Sequence, residues 1–252
     1  MTELIQPDFA DATLCPSPNV SERRGAATVD MLLLHYTGME GGQAAQDWLC
    51  NPESQVSCHY IVHENGEIIQ MVAENARAWH AGAGEWLGVS DTNSRSIGIE
   101  IVNGGHPAGL PTYPDVQMAA VARLARDIIN RHAIAPWMVL AHSDIAPGRK
   151  LDPGEHFDWG WLHGQGVGHW VPPGEHSGGR FFALGDHGQP VEALQSMLTM
   201  YGYGVPITGA FCERTKVVVE AFQRHFRQSR VDGVADANTI DVLYRLLAAR
   251  QQ

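Results

Sequence analysis

A histidine and an aspartate ten positions apart, His142 and Asp152, bracket the run H-S-D-I-A-P-G-R-K-L-D-P, whose proline and glycine let the chain fold back until both side chains face one point. A second histidine, His35, ends the apolar run Met31 to Leu34 and could add a third ligand at that point. A zinc catalyst needs three such protein ligands and one open position for water. Spacing alone is only suggestive, and by itself favours reading any one of the three as an ordinary surface or core residue. Glu100 lies between apolar Ile99 and Ile101, so its carboxylate is either the polar side of an amphipathic strand or a general base on a rigid element. Lys150, close before Asp152, must lie beside any metal that Asp152 binds, where an ammonium can steady an oxyanion or be a plain loop lysine.

These groups need elements to carry them. Met31 to Leu34 reads as a buried strand that delivers His35 to a surface, and Met138 to Ala141 as another with His142 at its exit. Ile97 to Val102 is the strand that holds Glu100. His59 to Val62 and Ile68 to Val72 flank Asn65-Gly66, a hairpin signal. Asp115 to His132 sets Val116, Ala120, Leu124 and Ile128 at four-residue intervals, as an amphipathic helix would. Strands mixed with helices, one hairpin among them, predict an α/β fold with a mixed central β-sheet flanked by helices. A glycine- and proline-dense stretch between His163 and Pro190 marks a boundary. The expected division is a catalytic domain over 1–172, a linker over 173–180 and a small three-helix domain over 181–252. The three helices are Val191 to Tyr201, Glu213 to Phe226 and Ala237 to Ala249, with no internal sequence repeat between them.

The bulk composition narrows the partners. With 252 residues, 44% hydrophobic and 18% charged, the chain can bury a full core and carries no membrane span. A formal net charge of −11 leaves no basic face for nucleic acid, while glycans and peptides stay open. Cys15, Cys50, Cys58 and Cys212 have neither paired nor regular spacing, so no disulfide framework and no thiolate zinc site is expected. The first dozen residues lack a basic start and an apolar run, which favours a cytoplasmic location, with the periplasm as the alternative. The expected state is a monomer.

Six ordered runs carry a resemblance: L-L-L-H-Y-T-G, S-C-H-Y-I-V, R-A-W-H-A-G, S-I-G-I-E-I-V-N, L-A-H-S-D-I-A-P-G-R-K-L-D-P-G, and F-D-W followed by G-Q-G-V-G-H-W. In order and approximate separation they resemble type-2 N-acetylmuramoyl-L-alanine amidases, the zinc amidases of cell-wall recycling. The likeness spans roughly Ser17 to Trp170. It implies that His35, His142 and Asp152 bind Zn2+, that Glu100 is the general base and that Lys150 stabilises the transition state. It also makes Tyr36, Trp79, His80 and Asn103 candidates for lining a groove for peptidoglycan or muropeptide. The tail resembles peptidoglycan-binding helical domains through V-x-x-L-Q from Val191, T-G-x-F from Thr208, A-F-Q from Ala221 and V-D-G-V-A-D from Val231.

Three other readings share parts of this pattern. A binding module that recognises wall without cutting it would lack a ligand, and here all three are present. A zinc peptidase acting on the stem peptide would use the same metal chemistry and differ only in product. An iron facial triad of His142, Asp144 and His169 would need a double-stranded β-helix, which the long helix argues against.

Overall fold

In the computed structural model the described residues are 6–25, 28–174, 178–179 and 181–250. The first part of the chain builds β1 (Thr13–Leu14), β2 (Val20–Ser21), β3 (Met31–Tyr36), α1 (Gly42–Leu49), β4 (Tyr60–Val62), β5 (Ile68–Gln70) and β6 (Arg77–Ala78). It continues through α2 (Thr92–Arg95), β7 (Ser96–Ile101), α3 (Asp115–His132), β8 (Val139–Ala141), α4 (His142–Ile145) and α5 (Trp159–Gly164). Six strands form one sheet in the order β1-β5-β4-β7-β3-β8, and β2 pairs with β6 in a separate ribbon. Only β4 and β5 run antiparallel in the large sheet, joined through Asn65-Gly66 with Gly66 at φ 84°; the other pairs are parallel. The sheet is therefore mixed, as the hairpin signal within an α/β pattern predicts.

Between β7 and β8 lies β3, where Met31 to Leu34 are all fully buried, the pattern of a strand covered on both faces. Helix α3 spans the predicted residues, but its buried stripe differs from the expected one. Val116 is 54% exposed, whereas Gln117, Met118, Val121 and Ala125 are buried with Ala120, Leu124 and Ile128. Steps of four residues advance 400° around a helix of about 100° per residue, so a strict four-residue row drifts off the core within a few turns. Buried Gln117 is spent on the sheet, its amide donating to the carbonyls of Val62 and Val102.

The tail forms α6 (Gln189–Tyr201), α7 (Glu213–Phe226) and α8 (Ala237–Ala249), close to the predicted bounds. Of the expected linker, residues 175–177 and 180 lie outside the described residues. Although no sequence repeat is visible, one device occurs twice. Gln195 accepts from Thr208 N and Gly209 N and donates to Ala210 O, and Gln223 accepts from Asp232 N and Gly233 N and donates to Val234 O. Each buried glutamine satisfies the orphan backbone groups of the turn that follows its helix. Among the described residues no helix is long and apolar enough to cross a membrane.

Candidate active site

The parallel register brings the predicted groups to one edge. It sets His35 beside Glu100 on β3 and β7, and Leu34 beside Ala141 on β3 and β8, so His142 follows at the level of His35. All three stand at the carboxyl ends of neighbouring parallel strands, where open α/β sheets bind ligands. Asp152 reaches the same point from the loop after α4, and Ser143 N donates to Asp152 O to tie that loop back. His35 Nδ1 lies 2.9 Å from His142 Nδ1 and 3.1 Å from Asp152 Oδ2, and His142 Nδ1 lies 2.9 Å from the same oxygen. All three residues are buried.

The surrounding hydrogen bonds decide where the ring protons sit. Ser96 gives its hydroxyl proton to Thr92 O at 2.7 Å, so toward His80 Nε2, at 3.3 Å, it can only accept. His80 therefore carries its proton on Nε2 and presents a bare Nδ1 to His35 Nε2, 3.0 Å away, which must be the donor. Burial, followed by the charge of His142, lowers the His35 pKa to about 4, so the ring is neutral and its Nδ1 is a lone pair. His142 Nε2 donates to Ala81 O at 2.9 Å, which leaves its Nδ1 as the nitrogen turned toward the centre. Two imidazole nitrogens and a carboxylate oxygen thus converge within about 3 Å of one another. Burial opposes ionisation of Asp152, yet the adjoining His142 above all outweighs it and holds the carboxyl well below its ordinary range. Nitrogen and oxygen donors in this number and geometry suit a borderline divalent cation, with each ring held by an outer partner.

One strand glycine makes this possible. A Cβ on Gly98 would sit 2.5 Å from the His80 ring, so only glycine leaves the room that the ring needs behind His35.

A cavity of about 380 Å³ opens over the cluster, and Glu100, Lys150, His142 and Asp152 lie on its wall. Glu100 Oε2 is buried and has no hydrogen-bond partner among the described residues. Burial first, and the charge of Asp152 second, push its carboxyl well above the ordinary value against the pull of Lys150. Tyr36, Trp79 and His80 also line the cavity. Trp79 donates from Nε1 to Ser21 Oγ, which fixes its ring, and Tyr36 OH lies 3.0 Å from His106 Nδ1. His80 has both nitrogens occupied by His35 and Ser96, so it supports the cluster from behind. Asn103 is not on the cavity wall; its amide bridges Pro111 O and Gly105 N and shapes the loop after β7. His59 is structural: Gly98 N donates to its Nδ1, and its Nε2 faces Ala76 O. The facial-triad reading fails, because Asp144 points into contacts with Tyr203 and His225, and His169 is engaged by Tyr201. Ser96 was not singled out from sequence, and its signal is the small residue opening the strand that carries Gly98 and Glu100.

Acceptors able to hold a metal, faced by a carboxylate and an ammonium at the ends of parallel strands, are the equipment of a hydrolase. Residues 25–155 match the family described as N-acetylmuramoyl-L-alanine amidase, and residues 187–243 match the family described as "Putative peptidoglycan binding domain". The chain is 37% identical to the N-acetylmuramoyl-L-alanine amidase AmiD of Escherichia coli over 233 residues, covering 87% of this chain and 82% of that protein. Its fold matches the structure of AmiD in complex with anhydro-N-acetylmuramic acid-L-Ala-D-gamma-Glu-L-Lys at a TM-score of 0.76, with 92% and 94% of the two chains covered. AMPDH3 from Pseudomonas aeruginosa superposes with a TM-score of 0.74 at 28% identity, over 92% of this chain and 96% of that one. The 1,6-anhydro-N-acetylmuramyl-L-alanine amidase AmpD of Escherichia coli is 32% identical over 57% of this chain and 86% of its own length. The chain belongs to the N-acetylmuramoyl-L-alanine amidases, hydrolases of the amide that joins muramic acid to L-alanine.

Proposed function

We propose that His35, His142 and Asp152 hold zinc, and that Glu100 and Lys150 act with it to release stem peptide from muropeptides. The observation that carries this reading is the convergence of two imidazole nitrogens and one carboxylate oxygen within about 3 Å of one another, the donor set of a zinc centre. When bound, zinc supplies a Lewis acid that polarises the scissile carbonyl and acidifies water. Glu100 takes the proton of the attacking water at Oε2, the buried oxygen without a partner among the described residues. A cation on Asp152 offsets the second cause of the raised Glu100 pKa and leaves the first, burial, so the carboxyl keeps enough proton affinity to serve as base. It then returns the proton to the amine of L-alanine as the C–N bond breaks. The Lys150 ammonium, on the same cavity wall, stabilises the carbonyl oxygen as it becomes anionic. Tyr36 and Trp79 contact the sugar and peptide on either side. The likeness to AmiD, whose complex contains an anhydromuramoyl tripeptide, supports an anhydromuropeptide as substrate.

Mass spectrometry of products from defined anhydro and reducing-end muropeptides, with and without a chelator, tests the reading. The expected result is free peptide beginning at L-alanine, lost with chelator and restored by zinc. Cleavage within the stem peptide would make the enzyme a peptidase, and turnover indifferent to chelator would remove the metal.

A further inference from the structure

The tail's α7 is docked against the segment that carries His142, Lys150 and Asp152, and we infer that Tyr203 and His225 of the tail are positioning residues for the metal site. The inference rests on the reading of His142 and Asp152 as metal ligands. Asp144 is fully buried two residues along α4 from His142, and its carboxylate accepts three hydrogen bonds. One comes from Ala141 N at 2.8 Å, which closes the single turn of α4 on itself. The other two come from the tail: Tyr203 OH at 2.6 Å on Oδ1 and His225 Nδ1 at 2.7 Å on Oδ2. His225 Nε2 has no partner among the described residues, so Nδ1 is the nitrogen that carries the proton. The His225 ring also stacks on Trp159 with centroids 3.7 Å apart.

The far end of the segment is clamped from the same side. Arg224 Nε donates to Glu155 Oε1 at 2.8 Å, and Gln228 Nε2 donates to Glu155 O and Phe157 O. Both ends of the ligand-bearing stretch are thus held by α7 and the residues that follow it. A four-residue helix has almost no stability of its own, so its orientation comes from such tertiary bonds. Without Tyr203 and His225, a buried carboxylate would lose two of its three donors, and α4 would move to re-solvate it. His142 would move with it. The tail therefore does more than reach for wall: it completes the ligand geometry.

The test uses full-length Tyr203→Phe, His225→Ala and the double variant, with zinc affinity read by competition against a chromophoric chelator and kcat and KM read on an anhydromuropeptide. The expected result is a loss of zinc affinity on the order of 10-fold in the double variant, the scale seen when outer partners of metal ligands are removed. kcat should fall at sub-saturating zinc while KM changes less than about twofold, and His225→Asn, which replaces the Nδ1 donor but not the ring stack, should restore affinity. Leu243→Ala, in the core of the tail on α8, supplies a destabilised control that should bind zinc normally. Equal affinity losses in Leu243→Ala and His225→Ala would overturn the inference, as would native affinity in a folded double variant. If the double variant does not fold, Tyr203→Phe, which deletes one oxygen, decides in the same way. His142→Ala separates the premises: if it keeps native zinc affinity, the ligand assignment fails and the inference with it, whereas loss there beside native affinity in the tail variants defeats the inference alone.

Discussion

Replacing Gly98 by alanine tests the support behind the cluster without altering a ligand. The new Cβ would stand 2.5 Å from both Cγ and Nδ1 of His80, against an ordinary contact of 3.4 Å or more, so the ring must retreat by about 1 Å. One of these two atoms, Nδ1, is the acceptor for His35 Nε2 at 3.0 Å, and a retreat of that size takes it out of hydrogen-bond reach. His35 then loses the bond that sets its tautomer and ring angle. Loss of such an outer partner costs roughly 10- to 100-fold in metal affinity, or about 1.4–2.7 kcal/mol. Overpacking the strand adds about 1–3 kcal/mol to the loss of folding stability. Zinc affinity by chelator competition and unfolding by urea, followed by circular dichroism, measure the two separately. Because the defect lies in affinity, saturating zinc should restore most of kcat. A folded Gly98→Ala protein that binds zinc within twofold of native would refute the proton assignment from Ser96 through His80 to His35.

Glu100→Gln should lower kcat by about 10²- to 10⁴-fold with zinc content unchanged, since only the proton acceptor is removed; atomic absorption beside steady-state kinetics would check it. Glu74 predicts a pH-dependent stability. Burial raises its pKa, but hydrogen bonds from Arg131, Tyr60 and His132 outweigh that and lower it from 4.5 to about 2. A depressed carboxylate contributes stability that is fully present above its unfolded pKa and lost as pH falls through the folded one. Glu74→Gln should therefore cost on the order of 3 kcal/mol at pH 7, a gap that closes between about pH 4.5 and 2 in urea titrations; a gap independent of pH would refute the attribution. Cys15 Sγ lies 3.2 Å from Cys50 Sγ, so oxidised glutathione should join them, with loss of two hydrogens and release of reduced glutathione. Peptide mapping should find that cross-link in the native chain, and Cys15→Ser should abolish it.

The readable features were those written locally. His35, Glu100 and His142 stand out because each lies on or just beyond a short apolar strand, and the hairpin shows because Asn65-Gly66 demands one turn type. What remained hidden depends on parts of the chain that meet only when folded. That His35 and Glu100 are neighbours follows from parallel pairing, which local periodicity does not encode. His80 was legible as part of a motif, but its role was not, since that role depends on Ser96 handing its proton to Thr92. Asn103 was placed in the groove by motif likeness, whereas its amide is consumed by the adjoining loop. Asp144 and His225 are 81 positions apart, and Cys15 and Cys50 are 35 apart with no spacing rule to join them.

Gly202, at φ 144°, packs against the Trp86 indole so closely that a Cβ would stand 2.3 Å from the ring, and Leu87 N donates to Gly202 O beside it. The two halves of the molecule meet there as a shaped seat in which neither side can change alone. A helical unit grafted from another wall enzyme would have to bring a glycine at that turn, or the indole would have to shrink in the same event. The halves are therefore matched in shape at this seat, and swapping one without the other should yield chimaeras that express poorly even when each half is sound in its parent.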